Sequence, residues 1–280
     1  MIHPRQKDLF AVIGNPVAHS LSPVMMQEAF DTLGLPALYV ALESDSLAED
    51  LDTLWKMRLR GLSVTLPHKE AAYSHSASKD ETAAAIGAVN TLRWHISGWE
   101  ARNTDWIGSN RALETFCTLK GKRALVLGAG GAARAVVYGL LHAGASVHIT
   151  NRSVERGETL AGLFACDFIP LHELERVRRE RPFEIVIQCT STGLVGTEKV
   201  QLVSDSFFQP GMVVMDTVYR PLWTDFLAQA KRAGSLTVPG LEMLLHQGVA
   251  QLEWWLGIDS LDTRVIQVMR NALIRASSHE

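Results

Sequence analysis

The sequence predicts an α/β protein of two domains built on mainly parallel sheets. Short apolar runs alternate with helical patterns almost from end to end, which implies successive β-α-β units. The pattern restarts midway. A linking helix is expected after Asp105, and at Lys122 a new unit opens with a glycine-rich turn. Finally, 280 residues at 47% hydrophobic content are enough to bury one large core or two medium ones.

Strands are expected at Leu9–Ile13, Ala37–Ala41, Gly61–Thr65, Ala124–Leu127, Ser146–Thr150, Ile185–Gln188, Val213–Asp216 and Leu236–Val238. Helical periodicity lies between them, for example over Pro23–Leu33, Leu47–Met57, Gly131–His142 and Val154–Phe164. Ala88–Arg93 and Gly98–Arg102 read as a hairpin with Ser97-Gly98 in the turn. Trp106–Thr118 reads as the linking helix. The last helical patterns, Leu241–Leu256 and Asp259–Ala276, have no strand after them and are expected to return to the first domain. This places a first domain over residues 1–106, completed by 240–280, and a second over 107–239. Trp94, Trp99 and Trp106 read as packing residues.

Composition excludes several classes. A net charge of −3 without long single-sign runs argues against a nucleic-acid or membrane-surface partner. No apolar stretch is long enough for a membrane helix, and the start has no apolar core of a leader. Cys117, Cys166 and Cys189 are odd in number and far apart, as expected of reduced thiols in the cytoplasm. The ten histidines lack zinc-ligand spacing, so no metal site is expected.

The strongest local signal begins at Arg123. An apolar strand runs into Gly128-Ala129-Gly130-Gly131-Ala132-Ala133 and then a helix. Gly128 permits a tight turn, Gly130 lets backbone approach a pyrophosphate, and Ala133 lets helix and strand pack closely. The free N–H groups and positive end of the helix face the phosphates. This is a Rossmann-type dinucleotide site. The next strand ends in Asn151-Arg152-Ser153-Val154-Glu155-Arg156, where an NAD enzyme usually carries Asp or Glu. Arg152 and Arg156 suit a ribose 2′-phosphate, so NADP is the expected cofactor. The plainer alternative is that Asn151 or Ser153 caps the helix and both arginines are solvated.

Before the glycine turn, three segments gather polar residues at strand ends. The first, Gly14–Pro23, carries Ser20 and Ser22 around one apolar residue. Ser22 alone would serve as a helix cap. The second delivers Ser63 and Thr65 on one strand face, then Pro67 and Lys69. The third offers Asn90 and, at the start of the linking helix, Asp105. Taken singly, Lys69 is an ordinary surface lysine and Asp105 an ordinary helix cap.

Together the pieces GNPVAHSLSP, SVTLPHK, GAVNT, RNTDWIG, GAGGAARA, NRSVER, Asp216–Pro221 and Pro239–Gln247 closely resemble the shikimate dehydrogenase family. They occur in the family's order and span almost the whole chain. The resemblance implies a substrate domain followed by an NADP domain. It implies that Ser20, Ser22, Thr65, Lys69, Asn90, Asp105, Tyr219 and Gln247 contact a polyhydroxylated cyclohexene carboxylate. The two serines would hold the carboxylate, and Lys69 and Asp105 would engage the reacting hydroxyl region. NADP contacts are implied from Gly128 to Ala133, at Asn151, Arg152, Ser153 and Arg156, and at Thr217 and Gly240. The family usually has Asn where this chain has Ser63, whose hydroxyl can still bond a substrate hydroxyl but is shorter.

The implied reaction is reversible reduction of 3-dehydroshikimate to shikimate with NADPH, in aromatic amino acid biosynthesis. Lys69 is the expected proton-transfer residue, and Asp105 is expected to orient it and bind a neighbouring hydroxyl. Two alternatives stay open: a quinate/shikimate dehydrogenase accepting NAD, and an inactive metabolite-binding homologue. The resemblance implies a monomer or a homodimer.

Overall fold

The computed structural model describes residues 7–197 and 200–277. The first residues of the segment read for a leader lie outside that range. Contacts divide the chain into two units: residues up to Thr104 together with those from Gln247 onward, and Asp105–His246. Each unit contains a six-stranded sheet.

The first unit runs β1 (Asp8–Gly14), α1 (Ser22–Thr32), β2 (Ala37–Glu43), α2 (Leu47–Lys56), β3 (Gly61–Val64), α3 (Lys69–His75), β4 (Ser78–Lys79), α4 (Glu81–Ile86), β5 (Thr91–His95) and β6 (Gly98–Arg102). Its strand order is β2-β1-β3-β5-β6-β4. β1 is parallel to β2 and β3, and β4 to β6, while β5 is antiparallel to β3 and β6. The hairpin turn falls on Ile96-Ser97, one residue before the expected Ser97-Gly98. Trp94 pairs with Trp99 and His95 with Gly98, so cross-strand pairing draws Gly98 into the strand.

β1 is covered on both faces. Ala11 and Ile13 join a core with Leu51 and Leu54 of α2, Leu62 and Leu92. On the other face Phe10 packs 4.9 Å from Phe30 and 5.2 Å from Trp255, ring centre to ring centre. Double coverage explains why this strand is a near-continuous apolar run. Trp94 stacks on Trp55, and buried Trp99 donates its indole N–H to the Leu51 carbonyl.

The second unit runs α5 (Asp105–Glu114), β7 (Arg123–Leu127), α6 (Gly131–His142), β8 (Ser146–Thr150), α7 (Val154–Phe164), β9 (Asp167–Phe168), α8 (Leu174–Glu180), β10 (Ile185–Gln188), β11 (Val213–Asp216), α9 (Asp225–Arg232) and β12 (Leu236–Val238). α10 (Gly240–Leu256) contains the division at His246/Gln247, and α11 (Thr263–Ser277) packs on α1 in the first unit. The expected linking helix is α5. It ends at Glu114 rather than Thr118, where the Phe116 and Cys117 N–H groups both turn back to the Leu113 carbonyl.

All pairings in the second sheet are parallel, in the order β12-β11-β10-β7-β8-β9. β7 shows the period of two. Ala124 and Val126 face Val136, Val137 and Leu140 of α6, while Leu125 and Leu127 face Phe183, Phe207 and Leu227. Strand order reverses at β7, with β8 on one side and β10 on the other. Such a switch leaves a crevice beyond the strand carboxyl ends. Trp106 packs edge-on against Tyr138 and His142 of α6. β4 and β9 have two residues each, too few for alternation to reveal them.

Phe30 is fully buried between Phe10 and Tyr39. Phe30→Ala is expected to cost about 3–5 kcal/mol by removing packed ring area and leaving a cavity. A urea unfolding midpoint unchanged from the unsubstituted protein would contradict this packing.

Candidate functional site

In the first unit, the ends of β1 and β3 are tied together. Thr65 donates its N–H to the Ile13 carbonyl and Asn15 donates its N–H to the Leu66 carbonyl, both at 2.9 Å. The peptide bonds before Pro16 and Pro67 are cis. Ser44, just after β2, joins this edge: its N–H donates to the Gly14 carbonyl, and its own carbonyl lies 3.0 Å from His68 Nε2. Ser20 is half-buried, and its Oγ accepts the Ser22 N–H at 3.3 Å. Ser22 is the first residue of α1, after a Leu21 cap without a side-chain bond, so it does not act as the cap. Lys69 opens α3, half-buried, with its carbonyl accepting from the Val89 N–H.

Asn90 lies next to this edge and is 2% exposed. Its Oδ1 accepts from the Thr104 N–H at 2.7 Å and the Thr91 hydroxyl at 2.8 Å. Its Nδ2 donates to Thr104 Oγ1 at 3.0 Å and Gln247 Oε1 at 3.2 Å. Ser63 is also buried. Its hydroxyl accepts from Tyr39 at 2.6 Å and donates to Gln251 Oε1 at 2.8 Å.

In the second unit, the glycine turn follows β7 at the switch point. Gly128 takes φ +123, and a Cβ there would lie 3.1 Å from the Cys189 carbonyl carbon, so a side chain is excluded on both counts. Ahead of α6 the space is open: a Cβ on Gly130 would meet nothing within 4 Å. α6 starts at Gly131 with no side-chain cap, leaving a helix N-terminus suited to an anion. Ala129, Gly131 and Ala132 are half-exposed around this turn, while Ala133 is buried against the strand. The residues present therefore suit a dinucleotide pyrophosphate.

At the end of β8, Asn151 Nδ2 donates to the Ser153 carbonyl at 2.9 Å. Ser153 caps α7 by accepting the Arg156 N–H, so the capping role holds for that residue. Arg152 and Arg156 are both exposed. Thr217 and Tyr219 follow β11, half-buried. Gly240 lies under them: a Cβ would fall 2.6 Å from the Val218 carbonyl oxygen and 2.7 Å from that of Asp216. Asp105 opens α5 and is 4% exposed. The expected site residues thus divide between the units. Ser20, Ser22, Ser63, Thr65, Lys69, Asn90 and Gln247 belong to the first, the remainder to the second.

Asp216 ends β11 fully buried. Its carboxylate accepts from the Thr224 hydroxyl at 2.6 Å, the Val218 N–H at 2.9 Å and Gln188 Nε2 at 3.2 Å. Burial nevertheless dominates and pushes its pKa up from 3.8 to about 6.

Three family profiles match in order along the chain. They are the shikimate dehydrogenase substrate binding domain over residues 12–92, shikimate / quinate 5-dehydrogenase over 110–216, and the shikimate 5′-dehydrogenase C-terminal domain over 240–274. A shikimate dehydrogenase (NADP(+)) of Syntrophobacter fumaroxidans is 56% identical over 280 residues, covering 100% of this chain and 98% of that one. The chain belongs to the shikimate dehydrogenase family. Among solved shikimate dehydrogenases, the Thermus thermophilus enzyme in complex with NADP(H) and shikimate matches with a TM-score of 0.86 and 38% identity, covering 96% of this chain and 99% of that one. The Aquifex aeolicus enzyme matches with a TM-score of 0.88 and 34% identity, over 96% and 99% of the two chains.

In this shikimate dehydrogenase family member the sequence does not single out Tyr39, Gln188, Asp216, Thr224 and Gln251 for the polar networks they form. Two of them leave a signal. Gln251 lies one helical turn beyond Gln247 on α10, and neighbours at that spacing share a helix face. Tyr39 sits at an inward strand position, where a buried phenol requires a polar partner.

The raised pKa of Asp216 sets a pH dependence. Between about pH 4 and 6 the folded state keeps this proton and the unfolded state loses it, so stability falls as pH rises through that window. The contribution is about 3 kcal/mol, from the difference between 3.8 and about 6. Asp216→Asn is expected to flatten the change in melting temperature between pH 4 and 7. An undiminished slope in that variant would assign it to other groups.

Proposed function

We propose that this chain is an NADP-dependent oxidoreductase interconverting 3-dehydroshikimate and shikimate, a step toward chorismate and the aromatic amino acids. The observation that carries the reading is end-to-end relatedness at 56% identity to a protein named for this activity. The open glycine turn and two exposed arginines after β8 support the cofactor choice. Residues 1–106 with 240–280 form the substrate domain, and residues 107–239 the NADP domain.

Gly128, Ala129, Gly130, Gly131, Ala132 and Ala133 bind the pyrophosphate through backbone N–H groups. Arg152 and Arg156 engage the 2′-phosphate with forked guanidinium donors, beside Asn151 and Ser153. Thr217 and Gly240 are further contacts to the NADP. When bound, the cofactor supplies the hydride.

The chain's own work is binding and moving one proton. Ser20 and Ser22 donate hydroxyl hydrogen bonds to the substrate carboxylate. Thr65, Asn90, Tyr219 and Gln247 hold ring hydroxyls. Lys69 donates a proton to the oxygen of the ketone as it is reduced, and in reverse its neutral amine takes the hydroxyl proton. As an ammonium it also stabilises negative charge developing on that oxygen. Asp105 accepts a hydrogen bond from a hydroxyl in the same region of the ring. The free Cys117, Cys166 and Cys189 suit a reducing compartment, here the cytoplasm. The partner is the small-molecule substrate, acting on a monomer or homodimer. Among the described residues no helix is long and apolar enough to cross a membrane, and no cluster of metal-binding side chains occurs.

NADPH oxidation with 3-dehydroshikimate against a panel of other cyclic keto acids, and NADP+ reduction with shikimate against quinate, test the assignment. Lys69→Ala is expected to reduce turnover by about 10²-fold or more with modest change in substrate affinity; unchanged turnover removes Lys69 from proton transfer. Arg152→Ala should weaken NADP more than NAD, and equal losses would reject the 2′-phosphate role. Ser20→Ala should act mainly on KM, since that hydroxyl binds ground and transition states alike.

A further inference from the structure

We propose that Ser63 is a positioning residue: with Gln251, Thr91 and Asn90 it forms a hydrogen-bonded chain, polarised by two backbone groups, that holds the amide orientation of Gln247. The inference rests on the function proposed above, in which Asn90 and Gln247 bind ring hydroxyls. All the residues concerned lie in the first unit and are buried.

Two backbone groups that cannot exchange roles set the polarity. The Asn90 carbonyl only accepts, and it lies 3.2 Å from Gln251 Nε2. Gln251 must therefore turn its NH2 toward Asn90 and its Oε1 toward Ser63. That oxygen only accepts, so Ser63 donates to it at 2.8 Å. Having one proton, Ser63 takes the Tyr39 hydroxyl as its own donor at 2.6 Å. Burial holds the Tyr39 phenol above its ordinary pKa, so it keeps the proton it donates.

The second anchor is the Thr104 N–H, which only donates. Its 2.7 Å bond fixes Asn90 Oδ1, so Asn90 Nδ2 faces Gln247. Gln251 also donates to Thr91 Oγ1 at 3.0 Å, which leaves the Thr91 proton for Asn90 Oδ1 at 2.8 Å. Gln247 receives an N–H from Asn90 and must present Oε1 to it. The Gln247 amide nitrogen is thereby directed away from Asn90, as a donor for a ring hydroxyl.

The result is one sequence of donors, Tyr39 to Ser63 to Gln251 to Thr91 to Asn90 to Gln247. Each bond polarises the next, and a break leaves buried polar atoms unsatisfied. With its proton committed to Gln251, Ser63 has none to donate to a substrate hydroxyl. It acts from behind the residues that bind.

Steady-state kinetics with 3-dehydroshikimate and NADPH test this. Ser63→Ala is expected to raise the substrate KM about tenfold, the effect of one lost neutral hydrogen bond, with kcat changed less and the NADPH KM unchanged. In a Gln247→Ala background the same substitution should raise KM by less than about twofold. Thr91→Val removes a later link with a side chain of the same shape, and it takes the place of Ser63→Ala in the cycle if that variant does not fold. Full additivity with Gln247→Ala, or parallel loss in kcat and both KM values, would overturn the inference and leave the proposed activity standing. No turnover by the unsubstituted protein would remove that activity and the inference together.

Discussion

A parallel strand covered on both faces has no place for polar chemistry along its length. Its side chains meet apolar layers above and below, and its backbone groups are taken by neighbouring strands. β1 and β7 are such strands, with Ala11 and Ile13 or Ala124 and Val126 on one face and Phe10 or Leu125 on the other. Polar groups with work to do are displaced to the strand ends. There the chain leaves the sheet and its N–H groups become available. The Gly14–Ser22 segment, the Thr65–Lys69 segment, the Gly128 turn and the Asn151–Arg156 segment all begin where a strand stops.

The exceptions obey the same constraint in another way. Ser63 lies within β3 and Tyr39 within β2, strands whose other side chains are largely apolar. Buried hydroxyls are tolerated there because each is paired, Tyr39 to Ser63 and Ser63 to Gln251. Asp216 is the charged counterpart. Three donors surround its carboxylate, yet desolvation still raises its pKa to about 6. A buried network of this kind is stiff, because any rotation leaves a group unsatisfied. Stiffness is useful beside residues that must present amides in one orientation.

Much of the candidate site is legible in one dimension because it sits at strand ends marked by glycine and proline. Gly128 can be picked out since the turn demands a positive φ and excludes a side chain. Ser20, Lys69, Asn90 and Asp105 stand in polar segments between apolar runs. Tyr39 and Gln251 do not, since each is surrounded in sequence by apolar neighbours. The hairpin shows the same limit at finer scale. Ser97-Gly98 is a good turn pair by composition, but pairing of Trp94 with Trp99 moves the turn to Ile96-Ser97.

The order of residues alone is enough for the alternation of strands and helices, the dinucleotide turn, and the family to which the chain belongs. The alternation and the turn follow from local periodicity and from residues whose backbone demands are intrinsic, and the family from the resemblance of whole motifs, so all three survive without knowledge of neighbours. Which hydroxyls and amides face one another is settled only when the chain is folded. Ser63 and Gln251 are 188 residues apart and meet at 2.8 Å. The direction of their bond is set by the Asn90 carbonyl, a group whose partners depend on how β3, β5 and α10 pack and which no local pattern records.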